Sequence, residues 1–289
     1  MTGLHSIRLQ NCIRAALAED VGAGDATTLA VVPETLEVTA LIQTREACVA
    51  AGLPVAEAVF RELDPLAVFE PLAAEGQACP ANQVLARVTG RARALLTGER
   101  AALNFLQRLC GIATMARRYQ DACAPHKARI LDTRKTTPGL RFLEKYAVAA
   151  GGAQNHRFGL YDRIMIKDNH RELASLDGPG GIRRAVVACR RDFPKLEIEV
   201  EADTLDDVAE ALEAGADYIL LDNMTDAQMA EAVRLTAGRA KLEASGGITL
   251  ARVPAAAATG VDFISIGALT HSVRAIDIGM EIQRPAAGR

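Results

Sequence analysis

The stretches R-I-L-D-T-R-K-T-T-P-G-L (129–140) and R-I-M-I-K-D-N-H-R (163–171) decide the fold class. Each opens on a short apolar run, Ile130-Leu131 in one and Ile164-Met165-Ile166 in the other. Each then turns charged at once, with Asp132, Arg134 and Lys135 after the first and Lys167 and Asp168 after the second. Charge placed where a buried strand ends is how an α/β enzyme assembles a site. From Arg129 to Arg171, nine Lys and Arg stand against four Asp and Glu, a net +5 in a chain whose total is −3. A cationic insert in an acidic protein predicts a pocket for an anion rather than a sticky surface.

Downstream, the same rhythm repeats. Strands are expected at 129–131, 163–166, 196–200, 218–221, 241–244 and 263–266, with helices at 139–150, 181–191, 205–214, 227–236 and 250–258. Such alternation predicts a parallel sheet with right-handed crossovers. Six strands could close toward a barrel or stay open as a doubly wound sheet. The residues at the strand ends favour the barrel. They are Asp132/Arg134/Lys135, Lys167/Asp168, Glu201, Asp222/Asn223, Ser245-Gly246-Gly247 and Gly267-Ala268. In a β/α barrel these sets converge on one pocket, whereas an open sheet spreads them along an edge.

Upstream, residues 6–19 suit a short amphipathic helix, closed by the glycine-rich turn D-V-G-A-G-D (20–25). Residues 38–45, 67–69 and 84–93 read as strands, with a helix at 56–63, which suggests a small α+β unit of antiparallel character. A long helical run extends from Leu95 to about Cys123, and Gly111 is expected to bend or divide it. Arg100 is expected in its first turns, where a cation opposes the helix dipole and calls for an anion.

Composition narrows the function classes. The 289 residues can bury a sizeable core, and 49% apolar with 24% charged residues is ordinary for a globular protein. Aromatics are 4%, Trp is absent and the pI is near 6.0, which argues against nucleic acid as a partner. No run approaches 18 apolar residues and no signal-peptide pattern opens the chain, so a cytoplasmic protein without a membrane segment is expected. The six Cys form no C-x-x-C pair and the five His show no ligand spacing, so neither a zinc site nor a disulfide framework is indicated.

The strand ends carry three kinds of chemistry. Arg134, Lys135, Arg157 and Lys167, with His156, form a cationic arc suited to a substrate bearing several carboxylates or phosphates. Glu201 and Asp222 form an acidic arm able to hold Mg²⁺ and sugar hydroxyls or to stabilise a developing positive charge. The turns S-G-G-I-T (245–249) and S-I-G-A-L-T-H (265–271) offer backbone N–H groups to a phosphate. A lyase forming a Schiff base on Lys167 is a competing reading, but the arginines around it do not make the apolar pocket such a lysine prefers. A non-catalytic anion sensor would gain nothing from Glu201 and Asp222.

Read together, D-T-R-K-T-T-P-G-L-R (132–141), G-G-A-Q-N-H-R-F-G-L-Y-D (151–162) and I-K-D-N-H (166–170) resemble the quinolinate phosphoribosyltransferases. So do E-V-E (199–201), L-L-D-N (220–223), E-A-S-G-G-I (243–248) and I-S-I-G-A-L-T-H-S (264–272). E-D-V-G-A-G-D-A-T-T (19–28) and G-E-R-A-A-L-N-F-L-Q-R-L-C-G-I-A-T (98–114) extend the likeness over nearly the whole chain. Ala153-Gln154 and Cys110 depart from the family pattern, beside rather than at the functional positions. A related phosphoribosyltransferase-like group associated with molybdate transport shares part of the pattern but lacks the combination of N-H-R with I-K-D-N-H.

The resemblance implies an open seven-stranded α/β barrel as the catalytic domain (114–289). It also implies an N-terminal α/β sandwich (1–113), with the helix at 6–19 and the long helix from 95 leading into the barrel. It implies Mg²⁺-dependent transfer of phosphoribosyl from phosphoribosyl pyrophosphate to quinolinate, giving nicotinate mononucleotide, pyrophosphate and CO₂, without an organic cofactor. Arg134, His156 and Arg157 would bind the quinolinate carboxylates, joined by Arg100 from the second subunit of a homodimer. Lys135 and Lys167 would contact phosphate or pyrophosphate, with Thr133 beside them. Glu201 and Asp222 would lie by the ribose and metal, and Ser245, Gly246, Gly247, Gly267 and Ala268 by the 5′-phosphate.

Overall fold

The computed structural model describes residues 7–176 and 178–283. It divides into two compact units, one made of the chain up to Arg117, Thr136–Gly152 and the part from Leu269, the other of Arg118–Lys135 and Ala153–Ala268. Among the described residues, no helix is long and apolar enough to cross a membrane.

The first unit holds strands β1 (Glu37–Thr44), β2 (Cys48–Val49), β3 (Val68–Pro71), β4 (Ala78–Cys79) and β5 (Val84–Arg91). β1 pairs antiparallel with β5 and, on its other edge, with a C-terminal strand at Ile278–Gln283; β3 flanks β5, and β2 and β4 pair separately. The C-terminal strand was not expected, since I-G-M-E-I-Q is short and gains its partner from the far end of the chain. Helices α1 (Ile7–Val21), α2 (Ala26–Val31), α3 (Leu53–Leu63), α4 (Ala92–Asp121) and α5 (Arg141–Ala150) complete the unit, with α4 running on into the second. Val55, Val59 and Phe60 of α3, Ile42 and Leu85 of the sheet, and Leu95, Leu103 and Leu106 of α4 are sealed from solvent. Each such side chain contributes roughly 1.5–3 kcal/mol through removal of apolar surface from water. The buried Glu144 carboxylate binds Arg108 and takes the Thr137 N–H, which ties α5 and the segment before it to α4.

Two expectations about α4 are corrected. The helix runs through Gly111 without dividing, because that glycine serves a close approach. A Cβ there would stand 2.2 Å from the Arg274 carbonyl oxygen, so bare backbone is required. The helix also begins at Ala92, which leaves Arg100 more than two turns inside it and exposed. Dipole effects fade within the first turn, so the dipole makes no demand for an anion beside Arg100.

In the second unit lie β6 (Arg129–Leu131), β7 (Ile164–Ile166), β8 (Ile198–Ala202), β9 (Tyr218–Asp222), β10 (Lys241–Ser245) and β11 (Phe263–Ser265). All six expected strands are present in one parallel sheet, ordered β6-β11-β10-β9-β8-β7. Gln154 adds an isolated parallel bridge to Leu131 on the outer side of β6. Helices α6 (Asp168–Ala174), α7 (Gly181–Asp192), α8 (Leu205–Ala214), α9 (Asp226–Thr236) and α10 (Val253–Ala258) intervene. α6 was not expected, because D-N-H-R-E-L-A carries charge rather than an apolar stripe, and none of its residues is buried. The helix expected at 250–258 is split into a 3₁₀ turn, Leu250–Arg252, and α10.

Paired residues of neighbouring parallel strands share a face, and alternate residues share it along each strand. The registers therefore divide the sheet into two populations. Ile198, Val200, Ile219, Leu221, Leu242, Ala244 and Ile264 occupy one face and are at most 3% exposed. The other face carries Met165, Glu199, Glu201, Tyr218, Leu220, Asp222, Glu243, Ser245, Phe263, Ser265 and Leu131. Strand segments such as E-I-E-V-E thus alternate as half-buried strands do, with the polar half turned to a sequestered surface instead of bulk water.

Replacing Gly111 by Ala sets two effects against each other. Ala is favoured over Gly in a helix interior by about 1 kcal/mol. Forcing a methyl against a fixed carbonyl costs about 1–3 kcal/mol, and here the contact distance is 2.2 Å against backbone. Gly111→Ala should therefore lower stability by up to about 2 kcal/mol in urea unfolding, and a stabilised variant would contradict the packing argument.

Candidate active site

Because the six strands are parallel, their C-terminal ends lie on one side of the sheet. The structure places there all the site residues expected of the second unit. Thr133, Arg134 and Lys135 follow β6, and His156 and Arg157 follow the Gln154 bridge. Lys167 follows β7, Glu201 and Asp222 close β8 and β9, Ser245-Gly246-Gly247 ends β10, and Gly267-Ala268 follows β11. Arg100 belongs to α4 in the first unit.

His156 and Arg157 are held by the chain around them. Asp132 is fully buried and accepts the His156 N–H at 2.8 Å on Oδ1 and the Asn155 amide at 2.8 Å on Oδ2. A carboxylate at a strand end therefore acts as a backbone anchor, a role the sequence reading did not assign. Arg157 donates its backbone N–H to His156 Nδ1 at 2.6 Å and its Nη1 to the Arg163 carbonyl at 3.0 Å. Burial pushes the Arg157 pKa down, and the charge of Arg134 pushes it further. Two guanidinium groups that disfavour each other are both favoured by a bound anion.

Beneath them lies a cluster that the sequence reading missed. His156 Nε2 faces Glu199 Oε2 at 3.1 Å and Glu243 Oε2 at 3.4 Å, and neither glutamate is exposed. Arg163 Nη1 approaches Glu199 at 3.7 Å, and its guanidinium lies over the Tyr218 ring at 4.1 Å. Burial lowers the imidazole pKa, but the two carboxylates outweigh it and bring it up to about 9. The Glu199 carboxyl is also pushed up, by burial first and by the charge of Glu243 second. Nδ1 accepts from Arg157, which an imidazolium cannot do. The raised pKa and this contact pull in opposite directions, and the contact geometry, with Nδ1 as acceptor, assigns the Nε2–H tautomer. The available signal was phase, because Glu199 precedes Glu201 and Glu243 precedes Ser245 by two residues on the same face.

The acidic arm has a different character. Lys167 Nζ bonds Glu201 Oε2 at 2.6 Å, with the lysine about half exposed and the glutamate nearly buried. Burial raises the Asp222 pKa, and the nearby charges of Glu201 and Asp203 raise it further. A divalent cation would relieve that crowding, so these carboxylates fit a metal of the Mg²⁺ kind. His156, Glu199 and Glu243 also bring one ligand atom each within 4.8 Å of one another, but at hydrogen-bonding separations.

The Gly-rich turn is built for close approach. Gly246 has φ +94°, and a Cβ there would meet Asn223 Oδ1 at 2.2 Å. Gly247 has φ +59° and open space where a side chain would be. The elements after these turns are a 3₁₀ turn, a six-residue helix and a four-residue helix at Ala268–His271. The turn N–H groups, more than any helix dipole, are what this region offers an anion.

This arrangement joins cations able to bind carboxylates and phosphates, acidic groups facing them, and a cradle of exposed backbone. Comparison with known proteins agrees with it. Residues 112–281 match the family model described as quinolinate phosphoribosyl transferase, C-terminal domain, and residues 25–110 match the corresponding N-terminal domain. The chain is 46% identical over 93% of its length to a probable nicotinate-nucleotide pyrophosphorylase (carboxylating) of Synechocystis, covering 90% of that protein. It is 42% identical to the Bacillus subtilis protein of the same description, over 96% and 95% of the two chains. The nicotinate-nucleotide pyrophosphorylase structure from Francisella tularensis superposes with a TM-score of 0.89 at 38% identity, over 96% of each chain. The chain belongs to the quinolinate phosphoribosyl transferase family.

Proposed function

We propose that this chain transfers the phosphoribosyl group of phosphoribosyl pyrophosphate to quinolinate with decarboxylation, releasing nicotinate mononucleotide, pyrophosphate and CO₂ in NAD biosynthesis. The observation that carries the proposal is the meeting of Arg134, Lys135, Arg157, Lys167, Glu201 and Asp222 on one side of one parallel sheet. In finer detail, the second unit is an open seven-stranded α/β barrel. Its strand order, consecutive from β7 to β11 with β6 beside the last, and the Gln154 bridge as a seventh stave support this. The first unit corresponds to the N-terminal sandwich. The active species is a cytoplasmic homodimer in which Arg100 of one subunit completes the quinolinate site of the other.

In this reading Arg134 and Arg157, with His156 beside them, take the two ring carboxylates and orient the pyridine nitrogen toward C1 of the ribose. Thr133, Ser245, Gly246, Gly247, Gly267 and Ala268 hold the phosphates. The nitrogen's lone pair forms the bond to C1 as the bond to pyrophosphate breaks, and positive charge builds on the ribose ring. Glu201 and Asp222 face that charge as fixed anions. Lys135 and Lys167 balance the leaving pyrophosphate, with Lys167 exchanging its Glu201 partner for it. Mg²⁺ bound with phosphoribosyl pyrophosphate would be held by Glu201 and Asp222 and would neutralise pyrophosphate charge. The alkylated ring is a pyridinium, so the C2–carboxylate electron pair passes to C2 under the ring's positive charge as CO₂ leaves, and C2 then takes a proton.

The direct test is incubation with quinolinate, phosphoribosyl pyrophosphate and Mg²⁺, assaying nicotinate mononucleotide and CO₂ together. Nicotinate in place of quinolinate should be a poor substrate, by two decades or more in kcat/KM. A buried cation that loses its counter-charge costs about 3–5 kcal/mol. Comparable turnover of nicotinate would remove the two-carboxylate argument.

Glu201→Gln should lower kcat about a hundredfold while the KM for quinolinate stays within a few fold, since its charge matters most when the ribose becomes cationic. A raised KM at unchanged kcat would assign Glu201 to binding instead.

The shared site is testable by mixing two inactive variants, Arg100→Ala and Lys167→Ala, under conditions of subunit exchange. A heterodimer would carry both lesions in one site and none in the other, so activity should recover to roughly a quarter of wild type. A mixture that stays inactive after verified exchange would place Arg100 in its own subunit's site.

A further inference from the structure

Glu199 and Glu243 are costly groups to bury. Both are completely buried, on adjoining parts of one face of the sheet, and among the described residues no well-aligned hydrogen-bond donor reaches any of their four carboxylate oxygens. Placing two carboxyl groups there is unfavourable unless something nearby uses them. What they face is the imidazole of His156, whose Nε2 sits between them at 3.1 and 3.4 Å. An N–H aimed between two oxygens is in line with neither, which accounts for the poor alignment while keeping the ring pulled down toward the sheet.

That pull has a consequence on the other side of the ring. With Nε2–H directed at the carboxyl pair, Nδ1 is an acceptor and takes the Arg157 N–H at 2.6 Å. Arg157 is therefore held at its backbone by His156 and at its guanidinium by the Arg163 carbonyl. Glu199 also approaches the side chain of the residue that gives this carbonyl, at 3.7 Å from Arg163 Nη1. Asp132 fixes the residue before, through the His156 N–H. The chain of contacts runs from the buried pair, through His156 and Arg163, to Arg157, whose charge Arg134 opposes.

Resting on the phosphoribosyl-transfer reading, we propose that Glu199 and Glu243 are positioning residues for quinolinate. They fix the His156 ring in the one orientation that locks Arg157 where it can meet a ring carboxylate. The roles divide by distance. Glu243 acts through His156 alone among the ion pairs described, whereas Glu199 acts through both His156 and Arg163. What the ring needs from this pair is acceptor oxygens in these places, and a glutamine supplies one as a glutamate does.

The experiment compares three enzymes: wild type, the double variant Glu199→Leu with Glu243→Leu, and the double variant Glu199→Gln with Glu243→Gln. The leucine pair should raise the quinolinate KM about tenfold, the loss expected for one aligned hydrogen bond. The KM for phosphoribosyl pyrophosphate should stay within about twofold, because those contacts lie elsewhere in the site. The glutamine pair should recover the quinolinate KM to within about threefold of wild type. A soluble leucine variant with unchanged quinolinate KM, or with both KM values raised alike, overturns the proposal. So does a glutamine pair as impaired as the leucine pair, since charge rather than orientation would then be what matters. Should the leucine pair not fold, the single Glu243→Leu variant replaces it, with a rise of about threefold expected and an unchanged value again overturning the idea. The imidazole ¹⁵N shifts of His156 supply a readout independent of turnover. They should report an unprotonated Nδ1 and a protonated Nε2 in wild type, and an Nδ1–H ring overturns the proposal. If wild type fails to turn over quinolinate, the functional reading is what falls, and the ring assignment is still decided by the shifts.

Discussion

The alternation of side chains along six parallel strands is the constraint on which the second unit depends. One face must be apolar, because helices cover it. Ile198, Val200, Ile219, Leu221 and Ile264 meet that demand with essentially no exposure. The registers leave the other phase free for chemistry, and it is filled with Glu199, Glu201, Asp222, Glu243 and Ser245. The apolar half supplies the folding energy that allows the polar half to be expensive. A one-residue slip of any strand would exchange the two halves, so register and site stand or fall together.

The site mixes fixed and movable charge. Arg157, His156 and Asp132 are buried and tied to backbone or to one another. Lys135 and Lys167 are exposed, and Lys167 bonds the Glu201 carboxylate. This division matches what each must do. A planar dicarboxylate has to be oriented before anything happens, which favours preset guanidinium groups. Pyrophosphate moves away during the reaction, which suits long lysine side chains that follow it. The pKa displacements of Arg157 and Asp222 point the same way. One cation and one carboxylate are each disfavoured in their charged forms, by burial first and by like neighbours second, and a bound substrate or metal offsets the repulsion in both.

Much of this was legible in the sequence because burial leaves a local imprint. Ile130-Leu131 and Ile164-Met165-Ile166 are apolar because they are covered, and the charge beside them marks where cover ends. Arg134, Lys167, Glu201 and Asp222 could be placed at strand ends for that reason, whereas Arg157 follows no apolar run and took its assigned role from the family resemblance. What escaped had its cause elsewhere in the chain. The strand at Ile278–Gln283 exists through its pairing with β1. Gly111 looks like a helix breaker until Arg274 is seen against it. The anion demand read at Arg100 rested on a helix start three residues too late, and the observed start at Ala92 removes it. Glu199 and Glu243 sit in phase with Glu201 and Ser245, which was the one local signal, but their partner His156 comes from a separate segment, so their meeting was not legible.

The pairing of β1 with Ile278–Gln283 bears on how the protein is made. More than 230 residues separate the two strands, and the registers join Thr39 to Gln283 and Thr44 to Ile278. During synthesis β1 and β5 emerge early and can zip together, but the other edge of β1 has no natural neighbour until more than 230 further residues have been made. An edge strand left bare for that long is a template for pairing with other chains. The unit whose strands appear first is thus completed only by residues translated much later, and its solubility on the ribosome hinges on them.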